Sequence, residues 1–345
     1  MTKYYQRALL FSGGGTRFAL YMGMYAALSE LDLKPDLLIA SCGGSMAVAI
    51  IQAFPTDAAR KSYVQSEEFY RFFLHHRLTE QRYLWKMGLY VLKKQLNKKA
   101  APYIEDVFSR YLVEMEQDLS PLLPALDRPF SAEVPSLIIG SKMLFDPVEV
   151  GKKRGDKKLY QKMLLGTSDV LAKVPIQEIF IEDDNYVNSA VAQEVELHSE
   201  FSMLQAVRIS MSDMFYVEPV SIDKTYYAGG AIDLLPMELA NVMAEEIICE
   251  RKQAYKAQEE ALVRAVLGFS GNRRLTDLLQ RYPEVHRIDT RDATQQLSGR
   301  YCKKEINWRK FEIALTLPAN LQEFADAMEA QWSYGYQVTL NSFKK

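Results

Sequence analysis

The sequence predicts a three-layer α/β/α fold built around a mainly parallel central sheet. Residues 8–12 (Ala-Leu-Leu-Phe-Ser) form a short apolar run ending in Gly13-Gly14-Gly15, and Leu20, Met24, Ala27, Leu28 and Leu31 follow at helical spacing. The same order then repeats, with a run over 36–40 that is apolar after Asp36, a Gly43-Gly44 turn and a small-residue apolar stretch over 46–54. Two parallel strands joined by a helix make a βαβ unit. Its turns gather at the carboxyl edge of the sheet, where open α/β folds bind their ligands.

Further elements follow in order. Residues 58–126 read as mainly helical, dense in aromatic and basic side chains over 69–99. Strands are expected over 136–140 and 176–181, with the Lys-rich run 152–158 between them as a solvated loop. Residues 204–210 read as helix, 224–230 as a strand entering a Gly-Gly turn, and 237–256 as helix. The charged, alanine-rich stretch 250–264 reads as an exposed helix. A late strand is expected over 285–288 and a closing helix over 321–343. No internal repeat or linker interrupts the chain. Residues 1–345 therefore read as one domain, with a core over 7–239 and a C-terminal helical elaboration over 240–345.

Composition narrows the function. At 345 residues, with 48% hydrophobic and 25% charged residues, the chain can bury a substantial core. A net charge of −2 gives no reason to expect nucleic acid as a partner. Cys42, Cys249 and Cys302 are too few and too scattered for a disulfide framework or a zinc site, which fits a reducing compartment. His75 and His76 stand together without a ligand cluster around them, and His198 and His286 are single, so no metal is expected. Residues 1–7 do not resemble a secretory leader, and no apolar stretch reaches the ~18 residues a spanning helix needs. The expected location is cytoplasmic, with peripheral membrane contact left open.

Two elements carry chemistry. Ser12 to Arg17 reads Ser-Gly-Gly-Gly-Thr-Arg between a strand and a helix. Glycines let backbone N–H groups approach a ligand, and the helix start adds partial positive charge, so the loop suits a phosphate or a developing oxyanion. A phosphate loop would need a Lys-Ser/Thr pair, which Thr16-Arg17-Phe18 does not supply; a plain tight turn would use the same glycines. The second element, Pro35 to Val48, is a strand that stops at Cys42 and gives way to two glycines and a helix. That is the pattern of a nucleophile elbow. There a helix N-terminus is expected to lower the thiol pKa, although an isolated cysteine is also often a small buried hydrophobe.

Taken together, Gly13-Gly14-Gly15-Thr16-Arg17 and Pro35-Asp36 through Cys42-Gly43-Gly44 resemble the motifs of patatin-like phospholipases. Residues 204–210 (Leu-Gln-Ala-Val-Arg-Ile-Ser) and 226–236 are similar to that family's third block. The resemblance covers roughly residues 7–239. It implies a lipid acyl hydrolase or acyltransferase that needs no cofactor. It also implies an oxyanion hole from Gly13, Gly14, Gly15, Thr16, Arg17 and Gly43, and a Ser–Asp dyad without histidine. Here the serine position is Cys42 and the aspartate position is Ala228. Ala40, Phe18 and Leu234 also depart from the motif.

A thiol can be acylated without the aspartate, because a few per cent of a free thiol is already thiolate at neutral pH. The resulting acyl-Cys42 would hydrolyse slowly if nothing at position 228 activates water. Thiol attack on an oxygen ester runs uphill, whereas exchange with a thioester is nearly balanced, so acyl-CoA or an acyl-carrier protein stands beside acyl-lipid as substrate. Two other outcomes fit Ala228: a variant silenced at the dyad, or a patatin-fold protein that binds a lipid or acyl-carrier partner without chemistry. Asp233 is a candidate substitute base. Residues 83–99 read as a lid over an acyl pocket, a helix facing anionic lipid or an acidic carrier, or an ordinary packed helix with a solvated lysine face.

Overall fold

The computed structural model describes residues 3–13, 15–96, 101–179, 184–300 and 303–344. Its central sheet has nine strands: β1 (Tyr5–Phe11), β2 (Leu37–Ser41), β3 (Ser136–Met143), β4 (Tyr160–Gly166), β5 (Val191–His198), β6 (Val220–Ile222), β7 (Thr225–Ala228), β8 (Ala244–Arg251) and β9 (His286–Asp289). The order is β9-β8-β1-β2-β3-β4-β5, and β7 pairs with both β3 and β6. From β9 to β3 all neighbours are parallel, as are β4 and β5; the β3–β4, β3–β7 and β6–β7 pairs are antiparallel.

Helices cover both faces, and the strands show why. Leu9, Phe11, Leu38, Ala40, Ile138 and Ile248 pack into one core cluster. Ala8, Leu10, Leu37, Ile39, Leu137, Ile139 and Ile247 pack into the other. Successive side chains of a strand point to opposite faces, so a strand buried on both sides reads as an unbroken apolar run. The helices around the site are α1 (Phe18–Glu30), α2 (Gly43–Ala53), α3 (Glu67–Leu74), α4 (Leu84–Leu96), α5 (Met203–Met211), α6 (Met237–Met243), α7 (Ala257–Leu267), α8 (Gly271–Arg281) and α9 (Leu321–Phe343). Helices α1, α2, α3, α5 and α9 feed the first cluster, and α6, α7 and α8 the second.

The structure departs from the sequence expectation in four places. Residues 237–256 are not one helix: α6 ends at Met243 and the chain runs on as β8, paired in parallel with β1. Helix-favouring Ala and Glu are overridden there by strand-favouring Ile247 and Ile248 and by burial between two strands. The segment after residue 239 thus supplies two strands of the central sheet and is not a helical elaboration alone. The strand expected over 176–181 is a short 3-10 turn at Ile176–Glu178 after Pro175, and Phe180 and Ile181 lie outside the described residues. Finally, residues 101–126 are turns, a two-residue strand and one 3-10 turn at Pro124–Leu126 rather than α-helix, with Pro102, Pro121 and Pro124 lacking the N–H a helix interior needs. Strands β4 and β5 and the hairpin Lys303–Asn307/Glu312–Thr316 are additional.

Helix α9 lies on α1 with their backbones nearly touching. A Cβ on Gly335 would stand 2.1 Å from the carbonyl oxygen of Leu20, so only glycine fits that crossing. Gly335→Ala must push the helices apart, which is expected to cost about 1–3 kcal/mol as a fall in the urea midpoint. Gly88→Ala, in open space on α4, should leave the midpoint unchanged or raise it slightly.

Candidate functional site

Strand β2 ends at Ser41, and α2 begins at Gly43. Cys42, between them, has φ 49° and ψ −127° and is 7% exposed. A residue with a side chain seldom takes positive φ, so its surroundings must hold it there. The Cys42 N–H donates to the Ser210 hydroxyl at 2.9 Å, and that hydroxyl donates to the Ile139 carbonyl at 2.6 Å. The Ser45 N–H and hydroxyl both donate to the Cys42 carbonyl, at 2.9 and 2.6 Å. Helix α5, strand β3 and helix α2 thus fix one residue.

The glycine loop lies directly against the thiol. A Cβ on Gly13 would sit 2.8 Å from the Cys42 Cβ, so no larger residue can stand there. The Gly15 carbonyl oxygen lies 2.5 Å from where a Gly43 Cβ would be. The Gly43 N–H donates to the sulfur. Thr16 borders the pocket beside Cys42, and Arg17 precedes α1 with its guanidinium 3.8 Å from Glu250. Gly14 lies outside the described residues.

An acidic group that the sequence did not single out completes this arrangement. Asp213, in the turn after α5, hydrogen-bonds to the Cys42 thiol, and its Oδ1 accepts from the Ala231 N–H at 3.1 Å. Ala228 is fully buried among apolar side chains. The carboxylate beside the sulfur therefore comes from a different part of the chain than the family motif suggests. Its one sequence signal is an aspartate three residues beyond Ser210. On its own that reads as an ordinary turn residue.

Electrostatics reverses one expectation. Burial pushes the Cys42 thiol well above its usual range. The negative charge of Asp213 and its hydrogen bond add to this, and the Gly43 N–H and Lys252 oppose it without prevailing. The helix N-terminus does not produce a standing thiolate. A protonated thiol with a carboxylate in contact is instead a pair between which a proton can pass directly.

Cys42 opens onto an apolar pocket lined by Phe18, Phe72, Phe73, Met115, Met211 and Leu317. His76 also lines it; burial lowers its pKa, and its Nδ1 is 2.8 Å from the Phe72 carbonyl. His75 is similarly turned onto Arg71. Among the described residues no group of three His, Cys, Asp or Glu side chains could hold a metal ion.

Asp233 is committed elsewhere. Its carboxylate is 2.5 Å from Lys162 and 3.5 Å from Arg274, and all three are nearly inaccessible. Burial alone would raise its pKa, but the two cations outweigh burial and hold it below the ordinary value. It braces the turn after β7 and is not a base for Cys42.

A family model described as patatin-like phospholipase matches residues 9–241. No curated protein sequence matches the chain. Among solved structures, VipD from Legionella pneumophila aligns at 13% identity and a TM-score of 0.34, covering 97% of this chain and 66% of that one. The type III effector protein ExoU aligns at 12% identity and a TM-score of 0.34, covering 97% and 54%. The chain thus spans less than two-thirds of either neighbour, and likenesses at that level carry no functional weight.

Asp233→Asn would leave Lys162 buried without its counter-charge, at an expected cost of about 3–5 kcal/mol in urea unfolding at pH 7. Because the folded pKa is depressed, this stabilisation is fully present above the unfolded value of about 3.9 and lost as pH falls through the folded one. The gap between wild type and variant should hold from pH 7 to about 4 and narrow below that.

Proposed function

Because the chain belongs to the patatin-like phospholipase family, we propose that it is a lipid acyl hydrolase or acyltransferase in which Cys42 carries the acyl group and Asp213 moves the protons. The observation that carries this reading is the hydrogen bond between the thiol and Asp213, at the mouth of an apolar pocket. In the first half-reaction Sγ attacks the acyl carbonyl carbon while the S–H proton passes to Asp213. The C–S bond forms, and the carbonyl electron pair moves onto oxygen, beside Gly13, Gly15, Thr16 and Arg17 of the glycine loop and the Gly43 N–H. Collapse breaks the bond to the leaving oxygen or sulfur, which takes the proton from Asp213.

In the second half an acceptor gives its proton to Asp213 and attacks the acyl carbon; the C–S bond breaks, and the departing Cys42 sulfur takes the proton back from Asp213. Water qualifies once a carboxylate stands at the sulfur, so hydrolysis no longer depends on position 228. Thioester donors such as acyl-CoA or an acyl-carrier protein exchange with a thiol in near balance, and acyl-lipids remain the substrate class of the family. A silent lipid binder would have no use for a carboxylate held against a buried thiol, an arrangement that costs desolvation.

The acyl group would arrive from a lipid surface across α4. Trp85, Leu89 and Leu96 are 60%, 71% and 77% exposed and, with Leu92, form one stripe at helical spacing. The hairpin tip with exposed Trp308 and Phe311 adjoins α4, since the Leu84 N–H donates to the Phe311 carbonyl at 3.0 Å. The outgoing strand of that hairpin leads to Leu315 and Leu317 at the pocket. Exposed Lys93, Arg309 and Lys310 flank this apolar face and suit anionic headgroups. No described helix is long and apolar enough to cross a membrane.

Asp213→Asn is expected to lower kcat on a medium-chain p-nitrophenyl ester on the order of 10²- to 10⁴-fold. Cys42→Ala should abolish the acyl adduct seen by intact mass, and Ala228→Asp should bring no gain. An unchanged rate in Asp213→Asn would refute the assignment. Sedimentation with vesicles containing anionic phospholipid should show binding that weakens with salt. Leu89→Glu should reduce that binding by about tenfold or more without changing Tm.

A further inference from the structure

Strand β8 lies beyond the stretch that matches the family, yet its end reaches the glycine loop. Lys252, the next residue, donates from Nζ to the Ser12 carbonyl at 2.9 Å, to the Gly13 carbonyl, and to the Tyr21 hydroxyl at 2.8 Å. Its counter-charge is Glu250, 3.0 Å away and fully buried. Glu250 is itself held by the Thr290 hydroxyl, by the Tyr21 hydroxyl at 3.0 Å and by Arg17 at 3.8 Å. One ammonium is thus fixed by β8, by α1 and by the turn after β9, and its free end is spent on two consecutive carbonyls of the loop.

We propose that Lys252 is a positioning residue for acyl transfer at Cys42, clamping the Ser12 and Gly13 carbonyls so that the loop presents its N–H groups to the oxyanion. The proposal rests on the reading of Cys42 as the acyl carrier. In a trans peptide the C=O and the following N–H point in opposite directions, so holding the Ser12 carbonyl fixes the Gly13 N–H as well. Gly13 is the residue packed on the Cys42 side chain. Oxyanion stabilisation depends on donors fixed in advance, and a loop of three glycines has no stiffness of its own.

The clamp has a pH limit within reach of experiment. Burial lowers Lys252 to about 8, helped by the positive charge of Arg17, while Glu250, and Cys42 when ionised, act in the opposite direction. Tyr21, which also faces the ammonium, is buried and its pKa is raised well above the usual value, so it stays a neutral hydroxyl in this range. As pH rises through about 8 the side chain loses its charge and one N–H, and the loop loses part of its hold.

The test compares wild type, Lys252→Met and Lys252→Arg by two readouts. Hydrogen–deuterium exchange of residues 12–17 reports loop order without any turnover. It should rise about tenfold or more in Lys252→Met, while residues 37–53 keep their protection. On a p-nitrophenyl ester, kcat in Lys252→Met should fall on the order of 10- to 100-fold with KM within about twofold. Wild-type kcat should decline through about pH 8, and Lys252→Arg should move that decline upward. If Lys252→Met does not fold, the shift in Lys252→Arg decides the matter. Loop exchange in folded Lys252→Met equal to wild type, or an unmoved pH limb in Lys252→Arg, would overturn the proposal. A wild type with no turnover on any ester would count against Cys42 as the carrier, and the exchange readout would still decide whether Lys252 orders the loop.

Discussion

A side chain at positive φ carries strain of about 1–3 kcal/mol, and at Cys42 that strain is borne by bonds from three separated stretches of chain. The Ser210 hydroxyl links the elbow to β3, and Ser45 ties it to the first turn of α2. The elbow can exist only because β2 lies between β1 and β3, with α5 laid across the same face. The order of the strands is therefore also the support of the thiol. Relaxing the elbow would withdraw the sulfur from Asp213 and from the glycine loop together.

Two buried carboxylates, Asp233 and Glu250, and the half-buried Asp213 surround this point, and each has different partners. Asp233 is locked between Lys162 and Arg274, and Glu250 is locked beneath Lys252 and Tyr21. Asp213 instead faces the thiol and a backbone N–H. A buried carboxylate between two cations stays ionised and is a poor proton acceptor, because taking a proton would leave its partners uncompensated. Asp233 and Glu250 are thus committed to their cations, and among these three it is Asp213 that touches the sulfur.

The βαβ start, the elbow and the closing helix were legible because apolar period and glycine placement are local signals. Cys42 was readable at the elbow from residues 35–48 alone. Strand β8 was not, since Ala244-Glu245-Glu246 favours a helix and only pairing with β1 makes it a strand. Asp213 and Lys252 were missed for a related reason. Each sits 170 or more residues from Cys42, and each takes its meaning from a contact that no nearby periodicity announces. The expectation of a lowered thiol pKa failed because it counted the helix terminus and could not count burial or Asp213.

Strand β8 begins three residues after the family match ends, and it covers the outer edge of β1. The segment that matches the family is thus not one that could be cut out and kept. Ending the chain at residue 241 would bare a row of unpaired N–H and C=O groups along β1, the kind of edge that recruits another chain. The same cut would remove Glu250 and Lys252 from beneath the glycine loop. Solubility and loop geometry would be lost to a single truncation, because one strand guards the sheet and braces the site.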